Sequence, residues 1–172
     1  MHPISTAPAR IASRLLVAFA LALPLAACGG KDEAPKVEKQ AVAVPTTEDA
    51  SAWRAYVSYV VGENMKGITN SPFVYLLPAE STEDFQGAYD RLLEKAAGDV
   101  ERGILPGNML AFAMASPNSA KGAELAIASF AKVQPDKLKD VRLLYIGQAE
   151  DEARVKDAVA ASGVEFVFVR TN

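Results

Sequence analysis

Ser116-Pro117-Asn118-Ser119, with Lys121 two residues further on, is the stretch of this chain best suited to holding an anion. It falls between an apolar run and a helical pattern, so it would open a helix, where unpaired backbone N–H groups and the helix dipole favour negative charge. Ser116, Asn118 and Ser119 would supply hydroxyl and amide donors, and Lys121 a positive charge. Asn and Ser have a plainer use at that place, since either commonly caps a helix with its own side chain. A second cluster, Gly147-Gln148-Ala149-Glu150-Asp151-Glu152, gathers three carboxylates, and oxygen ligands suit a hard cation such as Mg²⁺ or Ca²⁺. Acids at a helix start are also favoured by the dipole itself. Being adjacent, these three fan around a helix and cannot all converge on one ion, so no metal site is expected. Glu80, after the next apolar run upstream, is a single acid and does not make a phosphoryl-transfer site. No glycine-rich fingerprint or P-loop follows any apolar run, so no nucleotide cofactor is expected.

The start of the chain bears on what chemistry is left. Arg10 and Arg14 precede the apolar run Leu15–Leu25, and small residues then lead to Cys28. A basic start with a short apolar core reads as an export signal; a spanning helix needs about 20 apolar residues. Leu25-Ala26-Ala27-Cys28-Gly29 resembles the lipobox of bacterial lipoproteins. The resemblance covers this sorting segment alone. It implies cleavage before Cys28, a diacylglyceryl thioether on its sulfur and usually an acylated amine. One acyl chain holds a protein to a bilayer only marginally, whereas several hold it firmly. Gly29, where an aspartate would retain the protein, resembles lipoproteins passed on to the outer membrane. The expected location is therefore the cell envelope, lipid-anchored and facing the periplasm, with the membrane itself as a partner through Cys28.

On this basis residues 1–27 are removed and residues 28–50 carry the lipid and a tether. Gly29–Ala50 is charged, rich in Ala, Val and Pro, and free of aromatics, so it cannot bury enough apolar surface to fold. A coil of that length reaches about 25 Å. Residues 51–172 then form one soluble domain of about 120 residues. Losing Arg10 and Arg14 moves the formal net charge from −3 to about −5, an acidity that argues against nucleic acid or anionic headgroups as partners. The single histidine, His2, leaves with the signal, and the single cysteine, Cys28, carries the lipid. The domain then has neither imidazole nor free thiol. That excludes Ser-His-Asp and Cys-His catalysis in their usual forms, His/Cys zinc sites, and an internal disulfide.

The elements that must position these residues alternate. Ser51–Val61 places Trp53, Tyr56, Val57, Val60 and Val61 at helical spacing. Gly62–Pro72 is a loop, long enough to suggest a role, and with the nearby aromatics it would either form a contact surface or simply pack the first helix on a sheet. Phe73–Leu77, Asn108–Ala115, Val141–Gly147 and Val164–Val169 read as strands, apolar on both faces. Between them lie three helices. The first is capped at Ser81 or Thr82, buries Phe85, Tyr89, Leu92, Leu93, Ala96 and Val100, and stops at Gly103. The second starts at Asn118 or Ser119, buries Ala123, Ile127, Phe130 and Ala131, and ends before Pro135. The third, Glu150–Ser162, turns Val155, Ala158 and Val159 inward and stops at Gly163. The order β-α-β-α-β-α-β predicts an α/β three-layer sandwich with a four-stranded, mostly parallel sheet after an N-terminal helix. A doubly wound arrangement is expected, with a thioredoxin-like sheet containing an antiparallel pair as the alternative.

In a doubly wound sheet ligands sit outside the carboxyl ends of the strands, at the switch in winding. The function expected first is a noncatalytic envelope lipoprotein that binds a protein partner, as part of an assembly or as an inhibitor. The alternative is a small-molecule module with an anionic ligand at Ser116, Asn118, Ser119 and Lys121, which needs a concave pocket there. A hydrolase using Glu80 or the acidic cluster comes third.

Overall fold

Asp49 accepts hydrogen bonds from the amides of Ser51 and Ala52 and so starts α1 (Ala50–Glu63). The computed structural model describes residues 41–171; the export signal, Cys28 and the tether up to residue 40 lie outside the described residues. After α1 come β1 (Phe73–Leu77), α2 (Phe85–Arg102), β2 (Met109–Met114), α3 (Ala120–Ser129), β3 (Arg142–Gly147), α4 (Ala149–Val159) with a short 3-10 turn (Ala160–Ser162), and β4 (Glu165–Arg170). The strands are all parallel and lie in the order β1-β2-β3-β4. The α/β sandwich with a four-stranded parallel sheet is therefore the fold, and among the described residues there is no antiparallel pair.

The winding is not double. Strand order never reverses, so crossovers of one hand keep stepping in one direction, and α2, α3 and α4 share one face of the sheet. Large side chains fill that side: Tyr75, Leu77, Leu110, Phe112, Leu143 and Tyr145 pack against Ala96, Val100, Leu125, Val155 and Val159. The opposite face carries small ones on β2, Ala111 and Ala113, and these leave room for Trp53, Tyr56, Val57, Val60 and Val61 of α1. Without a reversal there is no switch point, and the crevice that such a reversal opens between diverging loops does not form.

Several boundaries differ from expectation for local reasons. α2 starts at Phe85 and not after Ser81 or Thr82, because Asp84 sits at φ 55, left-handed and outside the helix. α3 ends at Ser129, well before Pro135. The amides of Phe130, Ala131 and Val133 each bond three residues back, and so tighten the chain out of the α-helix. Ala131 is exposed and Ile127 half-buried, while Leu125 and Ala126 face the core in their place. Ala158 is also exposed; Val155 and Val159 are one helical turn apart, and Ala158 lies about 100° round from Val159.

α1 runs on through Gly62 and Glu63, which had read as loop, and the loop that follows is pinned to the sheet. Arg142 donates from Nη1 to the carbonyls of Asn64 (2.7 Å) and Lys66 (2.9 Å), and the amide of Thr69 donates to Gly107. Trp53 and Tyr56 are buried on the α1 side of the sheet, and Tyr75 points to the other face. These aromatics hold α1 on the sheet and do not form an exposed surface. The end of the stretch read as tether belongs to the folded body as well: Val44 packs on the α1 side of the core, and the Thr47 carbonyl accepts from the Trp53 indole at 2.8 Å. Among the described residues no helix is long and apolar enough to cross a membrane.

Candidate functional site

At the carboxyl ends of β2 and β3 the chain builds a polar knot. Ser119 and Asp151 are both 3 % exposed. The Ser119 hydroxyl donates to Asp151 and accepts the amide of Gln148 at 2.8 Å, while the Ser119 amide donates to the Gln148 side chain at 3.3 Å. Tyr145, wholly buried on β3, donates to the same Asp151 carboxylate at 3.3 Å. Burial first, and then the neighbouring Asp151 carboxylate, raise the Tyr145 phenol well above its ordinary value, so it stays protonated and serves as a donor. Arg154, one turn along α4, closes on Asp151 at 2.6 Å and reaches the Ala120 carbonyl at 3.0 Å. The knot ties the start of α3 to the start of α4. Gly147 belongs to it sterically, since a Cβ there would stand 2.5 Å from the Tyr145 hydroxyl oxygen.

A second carboxylate spans the neighbouring loops. Glu48, just ahead of α1, accepts from Ser81 after β1 and from Ser116 after β2, the latter at 3.1 Å. The Ser116 oxygen in turn accepts the Asn118 amide at 3.2 Å, and Asn118 caps α3 by accepting the amide of Ala120 at 3.0 Å. Lys121 pairs with Glu124 at 2.7 Å, and hydrogen bonding to that carboxylate raises its pKa. The four residues proposed for an anion thus lie around one helix start, each with a protein partner. Ser119 faces inward, and Lys121 is turned to its own helix. A recess of about 160 Å³ does open at this edge, but Val44, Pro45, Thr46, Pro117 and Thr171 line it. Of the acidic cluster Asp151 is buried, Glu150 exposed and Glu152 between the two. Among the described residues no group of acidic, His or Cys side chains could hold a metal ion. Glu80 is exposed.

A matching arrangement at β1 was missed in the sequence reading. Tyr75 donates to Asp99 of α2 at 2.9 Å, and Lys95 and Arg102 close on the same carboxylate from the helix. Two sheet tyrosines are thus each tied to a helix aspartate that a neighbouring cation neutralises. The spacing of Lys95, Asp99 and Arg102, four and three apart, was the available signal. Burial raises the pKa of Asp99, but the hydrogen bonds from Lys95 and Tyr75 and the charges of Lys95 and Arg102 outweigh it and hold the carboxyl below its ordinary value. A depressed folded value means stability present above the usual aspartate range and lost as pH falls through the lowered one. Below about pH 4, the wild type should lose unfolding free energy faster than Asp99→Asn; parallel slopes in a pH series of urea melts would refute this. Along α2 the same charges border an open depression of about 440 Å³. An apolar groove of about 240 Å³ runs between α2 and α3, walled mainly by Leu93, Ala97, Ala128 and Val133.

Fold and site together define a singly wound α/β domain whose sheet ends are closed by internal polar pairing. No protein-family model matches the chain, and neither a curated protein nor a solved structure is detectably similar to it.

Proposed function

We propose that this is a lipid-anchored envelope protein whose α/β domain works by binding another polypeptide and not by catalysis. One observation carries the proposal: Ser116, Asn118, Ser119, Lys121 and Asp151, the residues best suited to chemistry, are all engaged with partners inside the fold. A hydroxyl held by a buried carboxylate and a backbone amide, and itself shut off from solvent, is a strut. The anchor reading rests on Cys28 and its lipobox. Cells grown with labelled palmitate should yield labelled protein, and Cys28→Ser should abolish the label and move the protein from the membrane pellet to the soluble fraction, by about tenfold or more. Retention of label in Cys28→Ser would overturn the anchor. For the binding role, native mass spectrometry of the gently extracted protein should find a stoichiometric polypeptide companion; a bare monomer would count against it.

Glu48 favours one second reading. Its carboxylate already occupies the place between Ser81 and Ser116, so a small carboxylate or phosphate would have to displace it. Titration calorimetry with acetate or inorganic phosphate should then show binding to Glu48→Ala and little to the parent. No heat from either protein ends that reading.

A further inference from the structure

Residues 44–48 cross the carboxyl edge just ahead of α1, without secondary structure and bent at Thr46 and Thr47. Val44 packs on the α1 side of the core, and it shares the recess of about 160 Å³ with Pro117 after β2 and Thr171 after β4. The Thr47 carbonyl accepts from the Trp53 indole at 2.8 Å. Glu48 accepts from the hydroxyls of Ser81 and Ser116, the latter at 3.1 Å. We propose that these residues are a releasable strap, which fills from within the chain a docking site for a partner's segment of the same chemistry. That segment carries an apolar side chain and, four residues on, a carboxylate. The inference deepens the protein-binding reading and rests on it.

What holds the strap is shallow. Val44 and Pro45 are half-buried, while Thr46, Thr47, Glu48 and Ser81 are exposed. Segments with few buried apolar contacts and solvent-exposed hydrogen bonds open locally, at less cost than unfolding the domain. The strap also stops where the helix begins. Asp49 caps α1 through the amides of Ser51 and Ala52, and the buried Trp53 and Tyr56 hold α1 to the sheet. Those contacts do not pass through residues 44–48, so the strap can leave while α1 stays.

The layout of the seat favours a polypeptide over a small anion. The apolar place of Val44 and the hydroxyl pair that holds Glu48 lie four residues apart along the strap, and acetate or phosphate would fill only the second. Between them the indole takes a backbone carbonyl, a group that every polypeptide carries. Short peptide segments are recognised in this way, by main-chain hydrogen bonds together with places for particular side chains. Release has a second effect, because residues 44–48 then join the tether that leads back to Cys28. They add about 17 Å when fully extended, so a partner that takes the seat lets the domain stand farther from its anchor.

Trp53 is the only tryptophan, so a single indole proton reports on the strap. In the full chain extracted from its own membranes, hydrogen exchange should find that proton protected at least about tenfold less than the amides of Leu110 and Phe112 in β2. Glu48→Ala, which removes both hydroxyl contacts, should lower the protection by about a further tenfold. An indole as strongly protected as those amides overturns the release. For the docking site the probe is a synthetic peptide copying residues 41–50. It should bind Val44→Asp/Glu48→Ala at least about tenfold more tightly than the parent, and lose that gain when its own glutamate is replaced by alanine. Glu48→Ala alone, an exposed change, shows the same preference in smaller measure if the double variant misfolds. Equal affinity for parent and variants overturns the docking site. A polypeptide companion held equally by the parent and by Ser116→Ala overturns it too, while the binding role stands; if neither companion nor peptide binds, both fail.

Discussion

Trp53→Ala will lower the unfolding free energy by about 3–5 kcal/mol, a large part of what a domain of this size has, about 5–15 kcal/mol. The indole is 1 % exposed, lies between α1 and the alanines of β2, and meets Tyr56 edge-on with ring centroids 5.9 Å apart. Its removal leaves a cavity that those small neighbours cannot fill. It also removes the donor that holds the Thr47 carbonyl at 2.8 Å, and with it the segment that places Glu48 between Ser81 and Ser116. Trp53→Phe separates the two effects. It keeps most of the packing and loses the hydrogen bond, which is worth about 1 kcal/mol. Trp53 is the only tryptophan, so the melts must be followed by circular dichroism and not by fluorescence. A loss below about 1 kcal/mol for the alanine variant would mean that α1 is not the lid of the sheet.

Asp151→Ala should be the next most damaging change, at about 2–3 kcal/mol. Its carboxylate accepts from Ser119, Tyr145 and Arg154, and removal leaves a wholly buried phenol without its carboxylate acceptor. The figure stays below that for a fully buried ion pair because the Arg154 side chain is 41 % exposed and water can replace its partner. Asp151→Asn keeps the shape and one acceptor, and should cost less. Gly147→Ala should act on the same knot, since its Cβ displaces the Tyr145 hydroxyl, at about 1–3 kcal/mol. The double variant Gly147→Ala/Asp151→Ala should fall short of the sum of the singles, as changes within one network do. Additive losses in a urea-melt cycle would mean that Tyr145 and Asp151 act independently.

The residues that were legible in advance are those whose role is set by their neighbours in sequence. Phe73–Leu77 and Val141–Gly147 read as strands because they are short and apolar on both faces, the pattern of a strand covered on both sides. Val155 and Val159 read as the buried turn of a helix that Gly163 stops at φ 84. Asn118 or Ser119 was legible as the start of α3 on the same grounds; Ser119 holds the cap position and the Asn118 side chain accepts the Ala120 amide. The acidic run was legible only as a run. Glu150, Asp151 and Glu152 look alike in sequence, and Asp151 becomes the centre of a network because β3 brings Tyr145 beneath it and α3 brings Ser119 beside it. Glu48 is 68 residues from Ser116, and no local pattern announces that they meet.

Composition and periodicity, then, determined that the chain alternates strands and helices, that its strands are parallel and covered, and that imidazole and thiol chemistry are absent from the segment after Cys28. These are local properties: one face of a helix or both faces of a strand must be apolar for the element to be buried at all. Tertiary structure alone decided the order β1-β2-β3-β4, the single-sided winding and the closed carboxyl edge. Each depends on which strand pairs with which, and parallel strands of similar apolar character do not encode their neighbour in any short stretch of sequence. That choice is made by the packing of whole layers, here large side chains under three helices and alanines under α1, because only one arrangement fills both sides of the sheet together.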